Sequence, residues 1–361
     1  MAATPDIAVV GAGIVGLATA HVLRERGVAV RVYEPGAPGA GQSGGATRIF
    51  RHGHDDARLA AAAPRSRALW RGWGERLGLE TVSADGAVAI GAAVPHRLGL
   101  LSRQGGVHAR ALTPADLAAV MPALAGYGGP AMIDEGGGAI RAAGVVSALA
   151  RSLGEAIVTD EVLAVIPREG GGVDVVAGGG RSRYAAVVVC AGRGTEALAR
   201  TLGLVPPVEV SAHVRLTFRV RGVPPPRLPC LQDSSGAFGE GGAYGAPLPG
   251  NREYAVGIAA PPGALRRPEG LDALERRTRA YVARALPGLD PEPVGARACW
   301  VTRLPWGADG VAVWQAADVH LLVGNNLFKH APLLGHALAD LATGAPPALD
   351  LAPAARLGHA G

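Results

Sequence analysis

Lysine is almost absent from this chain. A single Lys329 stands among 35 Lys and Arg residues, set against 30 Asp and Glu. The net charge of +5 is therefore carried by arginines scattered along the sequence. They form no basic stripe, so nucleic-acid binding is not expected. Cysteine is nearly as scarce. Cys190, Cys230 and Cys299 give neither a disulfide framework nor a metal-ligand spacing, which points to reduced thiols, a cytoplasmic setting and no metal. No apolar run approaches the ~18 residues of a membrane span. The first apolar run lacks the charged-then-apolar pattern of a secretory leader and reads as a strand instead. What remains is 361 residues with 48% hydrophobic content. That is enough core for two domains, or for one large α/β domain with an insertion.

Residues 6–34 organise the rest. Residues 7–10 are a short apolar run, as in a strand buried on both faces. Gly11-Ala12-Gly13-Ile14-Val15-Gly16 follows, a G-x-G-x-x-G pattern. Gly11 permits a tight turn, Gly13 lets a pyrophosphate reach backbone, and Gly16 lets helix and strand pack closely. Apolar residues then recur at helical spacing up to Gly27, and residues 28–33 read as a second strand ending at Glu34. That carboxylate suits both hydroxyls of an adenosine ribose and would repel a 2′-phosphate. Strand, glycines, helix, strand and acid in this order predict dinucleotide binding. FAD and NAD share the fingerprint.

Residues 35–46 form a glycine-rich loop containing Ser43, able to wrap closely round a ligand. It runs into Thr47-Arg48-Ile49-Phe50-Arg51. Two arginines three apart are either an anion clamp, because guanidinium grips carboxylate bidentately, or snorkelling surface residues.

Taken together, Gly11 to Gly16, Glu34 and the stretch from Ser43 to Arg51 resemble the monomeric sarcosine oxidase group of the D-amino acid oxidase superfamily. That group also holds N-methyltryptophan oxidase and pipecolate oxidase, and its members carry a T-R-x-x-R sequence after the ribose acid. The resemblance implies FAD rather than NAD. It implies an α/β fold: a Rossmann-type FAD-binding domain with a second, substrate domain on an antiparallel sheet. Arg51 would bind the substrate carboxylate, with Thr47 and Arg48 against the flavin. Val162 would contact the adenine, and Ala191-Gly192 would end a strand beside the dinucleotide. Cys299, followed by Thr302 and Pro305, resembles the C-x-x-T-x-x-P stretch whose cysteine joins flavin covalently. Gly324 and Phe328-Lys329 match a segment that places a lysine near the substrate carboxylate, and Tyr244 would line the substrate side.

The expected excursions between the two domains put residues 1–85, 141–205 and 299–361 in the FAD-binding part, and 86–140 and 206–298 in the substrate part. Helices are predicted at 57–78, interrupted near Pro64, from Thr113-Pro114, at 142–153 and at 271–286. A half-buried strand is expected over 214–220, a hairpin over 243–258 and a buried strand over 319–323 before a final helix.

Several positions depart from the group. Arg193 follows Ala191-Gly192 where a tryptophan is usual, and the flavin-loop segment Gly324 to Lys329 is shortened. The group's oxygen-activating lysine aligns with Ala255, and two histidines near the amine align with Gly44 and Ala259. This argues against sarcosine itself. The implied activity is two-electron oxidation of a C–N bond in an amino or imino acid of secondary-amine type, by a monomer that passes electrons to oxygen or another acceptor. A natural-product tailoring role fits the altered loop. The alternatives are an amine dehydrogenase with a non-oxygen acceptor and a non-catalytic flavin-binding subunit.

Overall fold

A computed structural model of the chain describes residues 6–258 and 268–359. They divide into two compact units. The first comprises residues 6–44, 143–210 and 301–359; the second comprises 45–142 and 211–300.

The first unit is built on a six-stranded sheet. Its order is Val311–Ala316, Val319–Gly324, Ala186–Val189, Ile7–Val10, Val30–Glu34 and Ile157–Thr159. All neighbours are parallel except the first pair. Ile7–Val10 and Ala186–Val189 are buried throughout, as central parallel strands covered on both faces must be. The helix Ile14–Glu25 packs against Ala331–Ala342, where Ala18 meets Gly335 so closely that a methyl group at 335 would lie 2.8 Å from the Ala18 backbone. Arg24 donates from Nη1 to the carbonyls of Ser152 and Leu153, tying the end of this helix to the helix Ala142–Leu153. A separate antiparallel sheet orders Gly180–Tyr184, Val173–Ala177 and Val162–Pro167.

The second unit is built on an eight-stranded sheet. Its order is Leu289–Arg303, Glu209–Val220, Glu253–Ile258, Ala243–Pro247, Cys230–Asp233, Ala87–Ile90, Ala131–Asp134 and Ala109–Ala111. Its apolar face carries a core that includes Leu216, Phe218, Tyr254 and Tyr281. The helix Pro114–Val120 opens on a capping box, with Thr113 Oγ1 accepting from the Asp116 N–H at 3.1 Å and Asp116 accepting from the Thr113 N–H.

Two expectations change. Residues 45–85 group with the second unit rather than the first. Strand Arg48–Phe50 pairs antiparallel with Gly138–Ile140, and Val82 bridges Ile140, so this segment finds its backbone partners there. The helix Ala57–Leu77 also runs unbroken through Pro64. Its start is fixed by Asp56, which accepts the Arg58 N–H at 2.8 Å, and its buried Trp70 and Trp73 anchor the turns beyond the proline. The remaining intrahelical bonds and this burial outweigh the one donor that proline lacks. Ala259 lies outside the described residues.

Candidate functional site

In the first unit the glycine fingerprint forms the turn it predicts. Gly11 has φ +102°, and a Cβ there would sit 2.5 Å from the Cys190 carbonyl oxygen. A Cβ on Gly16 would stand 1.9 Å from the Gly11 oxygen. Only hydrogen fits at either position. Gly13 caps the helix without a side-chain bond, and no acidic residue occupies the first turn. The positive end of the helix dipole is thus left for an anion. Ser43 Oγ accepts the Ile14 N–H at 2.8 Å and pins the glycine-rich loop to this turn.

Glu34 reaches the same turn. One carboxylate oxygen accepts the Ala12 N–H at 2.9 Å, the other the Gly36 N–H at 3.1 Å. Ala191 and Gly192 follow the neighbouring strand, and Gly192 has φ +54°. These features fit the adenosine-pyrophosphate half of FAD: a glycine cradle that no Cβ could enter, an open helix N-terminus, and an acid held at the end of the second strand. Val162 begins an edge strand of the three-stranded sheet, paired with Ala177.

Further along, Thr302 Oγ1 donates to the Gly324 carbonyl at 3.1 Å and accepts from Gln42 at 3.3 Å. Lys329 is no exposed helix-start lysine. It is 6% exposed, on a 3₁₀ turn with buried Phe328, and its ammonium pairs with Asp309 Oδ1 at 3.0 Å. Asn326 donates to the same carboxylate oxygen at 2.9 Å. Asp309 carries no sequence signal, because only the folded turn brings it to the lysine.

In the second unit Arg51 is buried, and its Nη1 donates to the Gly53 carbonyl. The next residue is held too: Asp134 accepts the His52 N–H at 2.6 Å and the His52 Nδ1 at 2.9 Å. Both side chains are buried. Asp134→Ala strips two bonds from a buried partner and is expected to cost about 2–4 kcal/mol. The urea midpoint reports the loss, and an unchanged midpoint would mean that segment 51–53 is held by other contacts.

Arg48 and Arg215 both donate to the Thr47 carbonyl, at 2.8 and 3.0 Å. Burial, then the charge of Arg215, pull the Arg48 pKa down to about 9, with Arg297 adding to the pull, while Cys299 and Tyr244 oppose it. A value near 9 still leaves the guanidinium charged at neutral pH. Tyr244 shares a contact of 3.3 Å between its hydroxyl and His213 Nδ1.

The three thiols differ. Burial raises Cys190 to about 12 and pushes Cys230 well above the usual thiol range. Both are inert packing groups. Cys299 is half-buried, in the electrostatic neighbourhood of Arg48. Ala255 stands opposite Thr217 in the sheet. Among the described residues no group of His, Cys, Asp or Glu is placed to hold a metal ion, and no helix is long and apolar enough to cross a membrane.

A first unit on a largely parallel sheet with a glycine cradle and ribose acid, in one chain with a second unit on an antiparallel-rich sheet, defines a dinucleotide-binding flavoprotein fold. Residues 6–341 match the model of the FAD dependent oxidoreductase (DAO) family, and the chain belongs to that family. Among solved structures it is similar to NikD, an unusual amino acid oxidase essential for nikkomycin biosynthesis, in its open form. That likeness has 22% identity and TM-score 0.82, over 97% of each chain. Glycine oxidase from Geobacillus kaustophilus has 24% identity and TM-score 0.77, over 99% of this chain and 100% of the other. L-proline dehydrogenase from P. horikoshii has 19% identity and TM-score 0.78, over 95% and 94%. At these identities the likeness establishes the fold. No curated protein matches the chain.

Proposed function

We propose that this FAD-dependent oxidoreductase oxidises the C–N bond of an amino or imino acid, of secondary-amine type, as in the sarcosine oxidase group. FAD, when bound, supplies the two-electron acceptor. The chain's part is to bind and orient. Gly11, Gly13, Gly16, Ser43 and Glu34 would hold the adenosine-pyrophosphate end. The single observation that carries the substrate assignment is Arg51: a guanidinium 8% exposed, fixed at one donor by the Gly53 carbonyl. A fixed planar fork suits a carboxylate, and orienting the substrate in this way contributes as much as ~7–11 kcal/mol to barrier lowering. Lys329, set by Asp309, is the second cation assigned to that carboxylate, and Tyr244 is assigned to the amine side.

The similar solved structures support an amino-acid substrate: an amino acid oxidase, a glycine oxidase and a proline dehydrogenase. The test is anaerobic mixing with a panel of primary, N-methyl and cyclic amino acids. Bleaching of the flavin absorbance by secondary or cyclic members supports the reading; no bleaching by any member refutes it. Ala255, with no side-chain charge to stabilise developing superoxide, favours an acceptor other than oxygen. Turnover with a dye but not with oxygen would establish that version.

Cys299 is proposed as the point of covalent attachment. Burial pushes the Cys190 and Cys230 thiols up, whereas Cys299 lies in the electrostatic neighbourhood of the Arg48 guanidinium. After acid denaturation flavin should remain on the tryptic peptide spanning 298–303, and Cys299→Ala should release all of it. Flavin freed from the unaltered protein would overturn the link.

A further inference from the structure

Arg48 and Arg51 stand out in the sequence as an arginine pair. Arg215 and Arg297 do not, yet the second unit folds them onto Arg48. Gly45 marks the place. A Cβ there would lie 3.2 Å from Arg215 Nη2, 3.2 Å from Arg48 Nη1 and 3.5 Å from Arg297 Cδ. Arg215 projects from the strand Glu209–Val220, Arg297 from Leu289–Arg303, and Arg48 from Arg48–Phe50. Three separate strands thus bring the guanidinium groups of Arg48 and Arg215 and the side-chain stem of Arg297 round one glycine.

The sheet register makes room for them. Arg215 and Tyr244 both stand opposite Gly257, on its two neighbouring strands. A Cβ on Gly257 would fall 2.5 Å from the Tyr244 hydroxyl and 2.9 Å from Arg215 Cγ. Tyr244 and the Arg215 stem therefore share the space a side chain would fill. The phenol assigned above to the substrate side lies against the arginine cluster. Thr47, whose carbonyl accepts from two of the arginines, is 2% exposed, and its Oγ1 has no hydrogen-bond partner among the described residues. A buried hydroxyl without a partner costs free energy unless a bound group completes it.

We propose that Arg215 and Arg297, with Arg48, bind a second oxyanion of the substrate, in addition to the carboxylate assigned to Arg51. The substrate class is an amino or imino acid with a further acidic group, a carboxylate at the far end of its side chain. This rests on the amine-oxidation reading and narrows it. Burial is the first cause of the depressed proton affinity of Arg48, but Arg215 and Arg297 add to it, and the positive potential of these neighbouring cations draws an anion.

Isothermal titration of the flavin-loaded protein with unreactive acids tests it. Among diacids from succinate to adipate, at least one should bind about tenfold tighter than the monoacid of equal chain length, as one added charge-assisted contact predicts. Arg215→Gln should reduce that advantage to about twofold or less, and Arg215→Lys should restore part of it. Arg297 is exposed, so Arg297→Gln carries the same test without burdening the fold. Equal affinity for diacids and monoacids overturns the proposal, as does an advantage that survives both glutamine variants. The two readings separate in one preparation. Bleaching by monocarboxylic imino acids without any diacid preference removes the second anion site and keeps the amine chemistry. Diacid preference without bleaching by any amino acid does the reverse.

Discussion

Arg51→Met should lower kcat/KM for carboxylate-bearing amines by roughly 30- to 5,000-fold. That range corresponds to the 2–5 kcal/mol lost when one partner of a buried charge pair is truncated. The magnitude follows from burial. Arg51 is 8% exposed, so a carboxylate meeting it would give up water and regain its bonds chiefly from the fork. Methionine keeps most of the bulk and leaves that carboxylate desolvated, without its bidentate partner and with Lys329 as its remaining assigned cation. The flavin content of the variant should equal that of the parent, because the adenosine-pyrophosphate cradle belongs to residues 11–43. Competitive inhibition by a simple carboxylate gives the second readout, and its inhibition constant should rise by a similar factor. Unchanged inhibition with normal flavin content would remove Arg51 from the carboxylate role.

Gly16→Ala should abolish flavin loading and lower stability by more than 3 kcal/mol, whereas Gly13→Ala should empty the site with little change in the fold. The contrast comes from what each methyl group meets. At Gly16 it would stand 1.9 Å from a backbone oxygen of Gly11. Backbone cannot swing aside, so the helix must lift from the strand, beyond the ~1–3 kcal/mol of ordinary overpacking. At Gly13 the nearest atom is Ser43 Oγ at 3.3 Å, the tip of a short side chain. The protein tolerates that methyl, but the pyrophosphate would have to pass through it. Thermal melting of the flavin-free proteins and the flavin-to-protein absorbance ratio separate the two effects. Full flavin occupancy in Gly13→Ala would show that the dinucleotide does not approach this turn.

The first unit was largely legible because its signals are local. Turn glycines, a helix stop at Gly27 and an acid at Glu34 act within one βαβ unit, and short-range sterics decide them. The hairpin expected over 243–258 forms as the paired strands Ala243–Pro247 and Glu253–Ile258. Pro64 misled because its penalty is local, while the burial of Trp70 and Trp73 that offsets it is tertiary. The boundary at 85 fell instead at 44 because the partner of strand Arg48–Phe50 lies some ninety residues on, at Gly138–Ile140. Asp309, Arg215 and Arg297 escaped for a related reason. Each acquires its place through sheet register or a turn, and no spacing in the sequence encodes that.

The lone lysine has a practical consequence. With its ammonium shut in and paired to Asp309, this chain offers acylating reagents no accessible lysine. An activated ester modifies Lys329 only when the 3₁₀ turn from Leu327 to His330 springs loose, so the slow appearance of that adduct becomes a clock for local opening. A tightly held occupant of the turn would slow the clock.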